Sequence, residues 1–238
     1  MEPYVLRREA GLPMTSTAAA KRVTAFLRLV YGWMAGGLAV TALVASIVVG
    51  SPALLQVVFG NRIMFYGLIA AQLGLVFFLS SRVQSLAFST AALLFVAYSA
   101  LTGATLSVVL LAYTGASLAT TFVVTAGMFA ALAVFGTTTT RSLAGVGQFF
   151  FMGLIGLILA SVVGLFWHSD ALQFLISVVG VLVFTGLTAY DAQRLKQMAL
   201  AIPEGQAGSM AVGGALSLYL NFINLFLFLL RFTGSRRN

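Results

Sequence analysis

Asp191 is the residue whose position most directly suggests chemistry, because it is the one acid within or at the edge of a long apolar stretch. The other four acids lie in polar or connecting stretches: Glu2, Glu9, Asp170 and Glu204. A carboxylate at membrane depth costs about 2.5–3.5 kcal/mol on insertion scales and usually faces a cavity, a partner or an ion path. Asp191 is therefore a candidate ion-binding and pH-sensing residue.

Asn221 is the polar residue expected to face Asp191. The two lie 15 residues before and 15 residues after Gln206, so an antiparallel hairpin that turns near Gln206 places them at similar depth. Three more polar side chains fall near this level: Tyr190, Tyr219 and Asn224. Asn221 and Asn224 are three residues apart and share one helix face. Arg194 follows Asp191 by three residues and is placed to pair with it, although anchoring at the cytosolic membrane surface explains it as well.

The elements that carry these residues must be membrane-spanning helices. The 238 residues are 61% hydrophobic and 8% charged, with a mean hydropathy of +1.05, whereas soluble domains average about 25% charged residues. Only helices and closed barrels span a bilayer, and the apolar stretches are continuous rather than alternating, which indicates helices. The absence of cysteine and the single histidine, His168, exclude disulfides, thiolate metal sites and histidine-cluster metal sites.

Seven apolar stretches approach the ~20 residues that a bilayer requires. They cover residues 23–49, 63–80, 85–111, 116–135, 143–166, 171–191 and 211–232. The first stretch is longer than the roughly 7–15 apolar residues of a signal peptide, so we expect it to remain as a helix. The predicted organisation is a mobile cytosolic tail (1–22), one seven-helix membrane domain (23–232) and a short basic tail (233–238). A six-span alternative has one re-entrant segment and both ends in the cytosol.

The basic residues predict the orientation of the bundle. With a cytosolic N-terminus, nine of the 13 lysines and arginines lie on the cytosolic side, and the outer loops between spans carry only Arg62. The positive-inside rule favours this arrangement, although it leaves Arg231, Arg236 and Arg237 outside. The net charge of +8 is therefore attributed to topology and lipid headgroups rather than to nucleic-acid binding.

Small residues predict close helix packing at two places. Gly32 and Gly36 form a GxxxG motif in the first span, and Gly156, Ala160 and Gly164 form a similar row in the fifth. Such rows let helix backbones approach each other. We assign them ordinary packing and no ligand.

Four segments together resemble the Bax inhibitor family of transmembrane proteins, most closely its bacterial inner-membrane branch. They are YSALTGATLS (98–107), TFVVTAGMF (121–129), GLTAYDAQRLK (186–196) and ALSLYLNFINLFLFLLR (215–231). The resemblance implies a seven-helix bundle with the last helix at its centre. It also implies a pH-sensitive calcium leak, with calcium as the permeant ion and no cofactor.

The resemblance further implies a pair of carboxylates, one near the end of the sixth helix and one early in the seventh. The first position is Asp191, but the second, in the family's LYLDFINLF pattern, is Asn221 here. Two close carboxylates share a proton and titrate together, which an acid and an amide cannot do. Because charge count tunes calcium affinity, we expect Asp191 to give a weak calcium site whose binding depends less on pH than that of a carboxylate pair. The resemblance also implies an arginine near the end of the second helix that pairs with the two carboxylates and acts as a latch. No residue here matches that arginine by motif, because Arg82 is close to it in topology but not in local sequence.

Three classes of function compete for this sequence. The leading one is the calcium leak; the second is a non-conducting membrane interaction protein that modulates a membrane quality-control protease or a stress response. A metabolite transporter ranks third. Broken helices are typical of that class, whereas all four prolines of this chain lie outside the spans and do not interrupt them. An enzyme is not expected: the sequence lacks HExxH, GxSxG and cysteine motifs, and it has one membrane carboxylate where an aspartyl protease needs two.

Overall fold

The protein is an all-helical membrane bundle in the part of the chain that the structure describes. The structure, a computed structural model, describes residues 16–167, 169–203 and 205–237. Its helices are α1 (Ser16–Val49), α2 (Pro52–Phe59), α3 (Arg62–Arg82), α4 (Phe88–Ala112), α5 (Gly115–Thr138), α6 (Ala144–Phe166), α7 (Asp170–Ala201) and α8 (Ala207–Thr233). All except the short α2 are long and apolar enough to cross a membrane. The seven-span prediction is confirmed, and the six-span alternative is not supported.

The largest differences from the predicted spans are two helices that extend well beyond them and an extra short helix in a predicted loop. Helix α1 begins at Ser16, so residues 16–22 are helical rather than tail; the alanine-rich segment favours helix, and Arg22 ties it to the end of α7 by donating to the Ile202 carbonyl. Helix α7 continues ten residues past Asp191. Within the predicted loop 50–62, Ser51 caps the short helix α2 by accepting a hydrogen bond from Leu54. Residues 1–15, His168 and Glu204 lie outside the described residues.

Helix α8 lies at the centre of the bundle, as predicted. In its membrane-length segment 56% of the residues are buried, compared with 39% in α7 and 6% in α3. It packs against α1, α3, α4, α5 and α7, whereas α6 packs mainly against α7. Polar residues on α8 therefore face protein on nearly every side, which is where side chains such as Asn221 can be satisfied.

Glycines let α1 and α4 pack closely together, but these are not the glycines of the predicted GxxxG motif. A Cβ atom at Gly103 would lie 2.5 Å from the Thr41 carbonyl oxygen, and one at Gly37 would lie 2.5 Å from the Phe95 ring. A Cβ atom at Gly32 or Gly36 would meet nothing within 4 Å. The GxxxG prediction is therefore wrong for contacts within this chain, because Gly37 rather than Gly36 faces α4.

Substitution of Gly103 should destabilise the bundle. In the Gly103→Ala variant the added methyl group pushes α4 away from the Thr41 carbonyl of α1. Overpacking of this kind costs about 1–3 kcal/mol. Gly36→Ala is the matched control, because its methyl group enters open space and alanine favours helix by up to about 1 kcal/mol over glycine. Thermal unfolding in detergent should show a lower Tm for Gly103→Ala and no loss for Gly36→Ala. Equal melting temperatures would contradict the close approach.

Candidate functional site

Asp191 and Asn221 meet between α7 and α8. The Asn221 Nδ2 atom donates to the Asp191 Oδ2 atom at 2.8 Å. The hairpin turn between the helices contains Gly205, whose φ of 85° suits a residue without a side chain. Asp191 is 9% exposed and Asn221 is 5% exposed. The antiparallel hairpin thus brings together the two residues whose equal spacing about Gln206 predicted their contact.

Arg194 supplies the second partner of the Asp191 carboxylate. Its Nη1 atom lies 3.8 Å from the Asp191 Oδ1 atom, one turn further along α7. The Arg194 side chain is 45% exposed, whereas that of Asp191 is 13% exposed. The Asp191 Oδ2 atom therefore has a buried, neutral partner, and the Oδ1 atom has a charged partner that is open to solvent. The arginine can leave this position without breaking the core, since its own charge already reaches water.

The end of α7 beyond Asp191 is fastened to the connection between α5 and α6. The Gln193 side chain accepts a hydrogen bond from the Leu143 amide at 2.7 Å and donates to the Arg141 carbonyl at 2.9 Å. The Lys196 Nζ atom donates to the Thr137 carbonyl at 2.6 Å. Lys196 is one of the nine basic residues that the positive-inside rule places on the cytosolic side, and no role was predicted for Gln193. Their spacing of three residues, on one face of α7, was the available signal.

Tyr219 does not belong to the surroundings of Asp191, contrary to the prediction. Its hydroxyl lies 2.6 Å from the Thr41 Oγ1 atom of α1, and its ring contacts Phe95 and Tyr98 of α4 edge-on. A two-residue step along a helix turns by about 200°, so Tyr219 and Asn221 point to opposite sides of α8. Similar depth in the membrane does not bring their side chains together.

Tyr190 and Asn224 lie near the site in sequence but form other contacts. The Tyr190 ring fills the space that a side chain at Gly147 of α6 would need. The Asn224 Nδ2 atom donates to the Leu220 carbonyl of its own helix at 2.8 Å, beside an otherwise mostly apolar cavity between α6, α7 and α8. No hydrogen bond within the described residues links either side chain to Asp191. Of the residues predicted to surround Asp191 and Asn221, Arg194 is the one that makes a polar contact with Asp191 in the described part of the chain.

Few charged protein groups are available to bind a cation at this site. Among the described residues, no group of three or more histidine, cysteine, aspartate or glutamate side chains is arranged to hold a metal ion. Arg82 ends α3 as an exposed residue, and the described part of the chain contains no ion pair between it and Asp191. Asp191 and Asn221 offer at most three side-chain oxygens, whereas calcium takes six to eight. Backbone carbonyls or water would have to complete its coordination.

Comparison with known proteins identifies the family of the chain. The family model described as inhibitor of apoptosis-promoting Bax1 matches residues 23–238. The chain is 49% identical to inner membrane protein YbhL of Escherichia coli strain K12, over 89% of this chain and 92% of that protein. It is 44% identical to a protein of Borreliella burgdorferi, over 90% and 93% of the two chains, and 38% identical to a membrane protein of Streptococcus pyogenes, over 76% and 79%.

The family model and the relatives show the family of the chain. The family model covers the whole membrane domain, and the relatives named above are all bacterial. The chain is therefore a membrane protein of the Bax inhibitor family and groups with its bacterial members.

Proposed function

We propose that this protein is a calcium leak of the bacterial inner membrane, with its N-terminus in the cytosol and its gate at Asp191. The observation that carries the proposal is the buried Asp191 carboxylate, held on one side by Asn221 at 2.8 Å and on the other by Arg194 at 3.8 Å. Carboxylates at membrane depth that face the protein interior are typical of ion and proton pathways. The name of the Escherichia coli relative supports the inner membrane, and the clustering of basic residues supports the orientation.

In the proposed gate, Arg194 acts as the latch that the family places on another helix. While its guanidinium neutralises Asp191, the carboxylate cannot attract a cation. Movement of Arg194 into water frees the Oδ1 atom, and rotation of the Asn221 amide turns its oxygen toward an entering ion. Protonation of Asp191 also releases Arg194, but it removes the charge that attracts calcium. The pH dependence of the leak then comes from one carboxylate, not from a pair that shares a proton.

Loss of Arg194 should open the latch. The Arg194→Gln variant removes the charge that competes with calcium, and we expect calcium flux into liposomes to rise several-fold, because even an exposed ion pair is worth up to about 1 kcal/mol. Arg141→Gln is the matched control, since Arg141 is exposed in the α5–α6 connection and forms its hydrogen bonds through backbone atoms, the amide to Thr139 and the carbonyl to Gln193. Fluorescent calcium indicators trapped in protein-only liposomes measure the rate.

Two results would contradict the proposal. If neither wild type nor Arg194→Gln conducts above protein-free liposomes, the protein does not leak calcium. If Arg194→Gln and Arg141→Gln raise flux equally, surface charge alone controls entry and Arg194 is not a latch.

A non-conducting interaction protein is the second candidate, and one feature favours it. Two adjoining apolar cavities of about 400 and 470 Å³ lie against α8 between α1 and α5, and the larger one is also lined by α4. They share Leu38 and Phe222, and such a groove is suited to a helix of another membrane protein. A membrane quality-control protease is the partner proposed for this candidate. Absence of flux in protein-only liposomes, together with a partner that crosslinks to this groove, would favour it over the leak.

A further inference from the structure

We propose that a polar pocket at the far end of the bundle binds the headgroup of a phospholipid that carries both a phosphate and a primary ammonium group. The pocket has a volume of about 380 Å³ and is lined by the start of α7, the end of α8 and the C-terminal tail. Its charged residues are Asp170, Arg231 and Arg236. Asp170 precedes Asp191 by 21 residues on one helix, which corresponds to about 30 Å. The pocket is therefore separate from the Asp191 site.

Arg231 is held in the pocket by a neighbouring helix. Its Nη1 atom donates to the Gln173 Oε1 atom of α7 at 3.1 Å. This bond engages one of the five N–H groups of the guanidinium and leaves the others available to an anion. Because arginine binds phosphate through a planar fork of donors, a fixed guanidinium of this kind is a suitable phosphate ligand.

Arg236 reaches the same pocket because the C-terminal tail is folded against the α4–α5 connection. The Thr114 amide donates to the Ser235 carbonyl at 3.1 Å, and the Arg237 amide donates to the Ala112 carbonyl at 2.9 Å. The Ser235 amide donates to the Ser117 Oγ atom at 2.9 Å. The backbone on both sides of Arg236 is thereby fixed, which lowers the entropy lost when its side chain binds a ligand.

The charges of the pocket do not neutralise one another. Within the described residues the ion pair between Asp191 and Arg194 is the one that forms, so Asp170, Arg231 and Arg236 all lack an oppositely charged partner within 4 Å. Two guanidinium groups suit a phosphate, and the Asp170 carboxylate suits a primary ammonium that donates hydrogen bonds. A purely anionic headgroup would leave the Asp170 carboxylate without a partner, and a quaternary ammonium has no hydrogen to donate to it. The arrangement therefore favours phosphatidylethanolamine chemistry.

The rim of the pocket favours a lipid over a soluble headgroup. Phe174 and Phe232 are 59% and 52% exposed, and their ring centroids lie 5.5 Å apart. Exposed apolar rings beside a charged pocket gain stability when the apolar part of a lipid removes them from water. In that position they contact the glycerol and upper acyl carbons of a lipid whose headgroup fills the pocket.

The test is the lipid-induced rise in Tm of the delipidated full chain in detergent, with each variant compared with its own lipid-free sample. Phosphatidylethanolamine should stabilise wild type more than phosphatidylcholine or phosphatidylglycerol does. The Arg231→Gln/Arg236→Gln double variant should need about tenfold more phosphatidylethanolamine for the same shift, as expected when charged hydrogen bonds are lost. Arg237→Gln is the matched control from the same tail and should behave as wild type.

Asp170→Asn gives the sharper result, because it should change specificity rather than simply weaken binding. Without the carboxylate, preference should move from phosphatidylethanolamine toward phosphatidylglycerol by about tenfold. Equal shifts with all lipids, or no effect of Asp170→Asn on the preference, would overturn the proposal. Equal stabilisation by soluble phosphoethanolamine would replace the lipid with a soluble ligand and overturn the role of the aromatic rim.

Discussion

Asp191→Asn should reduce calcium flux in protein-only liposomes by at least about tenfold, since charge count controls calcium binding at oxygen sites. The substitution removes the one acid at membrane depth, and Asn221 is already neutral. It should also flatten any pH dependence of the flux, because among the described residues no other carboxylate lies at the contact of Asp191 with Asn221. A pH series of calcium flux, recorded for wild type and variant at equal protein-to-lipid ratios, measures both effects.

The fold should survive this substitution. Arg194 loses its partner, but its side chain is 45% exposed, and exposed ion pairs contribute only about 0–1 kcal/mol. The new amide keeps a hydrogen-bonding group beside Asn221, and removal of a membrane-depth charge offsets part of the loss. The Tm should therefore change little. Unchanged flux at every pH together with an unchanged Tm would make Asp191 a structural residue and would favour the interaction protein.

Asn221→Asp should raise calcium affinity by about tenfold or more, equivalent to about 1.4 kcal/mol. The two atoms that now share a 2.8 Å hydrogen bond become oxygens of two carboxylates, which must either share a proton or hold a cation between them. Calcium competes with that proton, so the gain should be largest at high pH and should fall as the pair becomes protonated. Calcium titrations at several pH values, by calorimetry or thermal shift, measure the affinity and show whether it rises with pH.

The same variant should be less stable without calcium at high pH. Two unit charges about 4 Å apart repel by up to about 4 kcal/mol at an effective dielectric constant of 20. Acidification or calcium removes this repulsion, so either one should restore the Tm. Asn224→Asp is the matched control: Asn224 bonds only to the Leu220 carbonyl of its own helix, and an acid there has no carboxylate partner. If both variants bind calcium equally well, the position of the second acid is immaterial and Asp191 does not coordinate the ion.

Much of this structure could be predicted from sequence because the governing rules are local. Backbone groups in a bilayer must be satisfied within the helix, so seven apolar stretches became seven membrane-length helices. The contact of Asp191 with Asn221 needed only an antiparallel hairpin and equal spacing. Arg194 followed from a separation of three residues on one helix.

Helix ends were harder to predict from hydropathy. Ser16–Arg22 and the residues of α7 after Asp191 are polar enough to be assigned to a tail and a loop. Good helix formers and contacts with neighbouring elements extend both helices, because a helix does not end where the membrane does.

Only the tertiary structure determined which side of each helix meets which neighbour. Tyr219 has the same approximate depth as Asn221, yet it faces Thr41 on the other side of α8. Gly37 and Gly103 make the close contact that the sequence pattern assigned to Gly32 and Gly36. The spacing of residues along one helix fixes the angles between its side chains, but the rotation of that helix within the bundle depends on the packing of all the others.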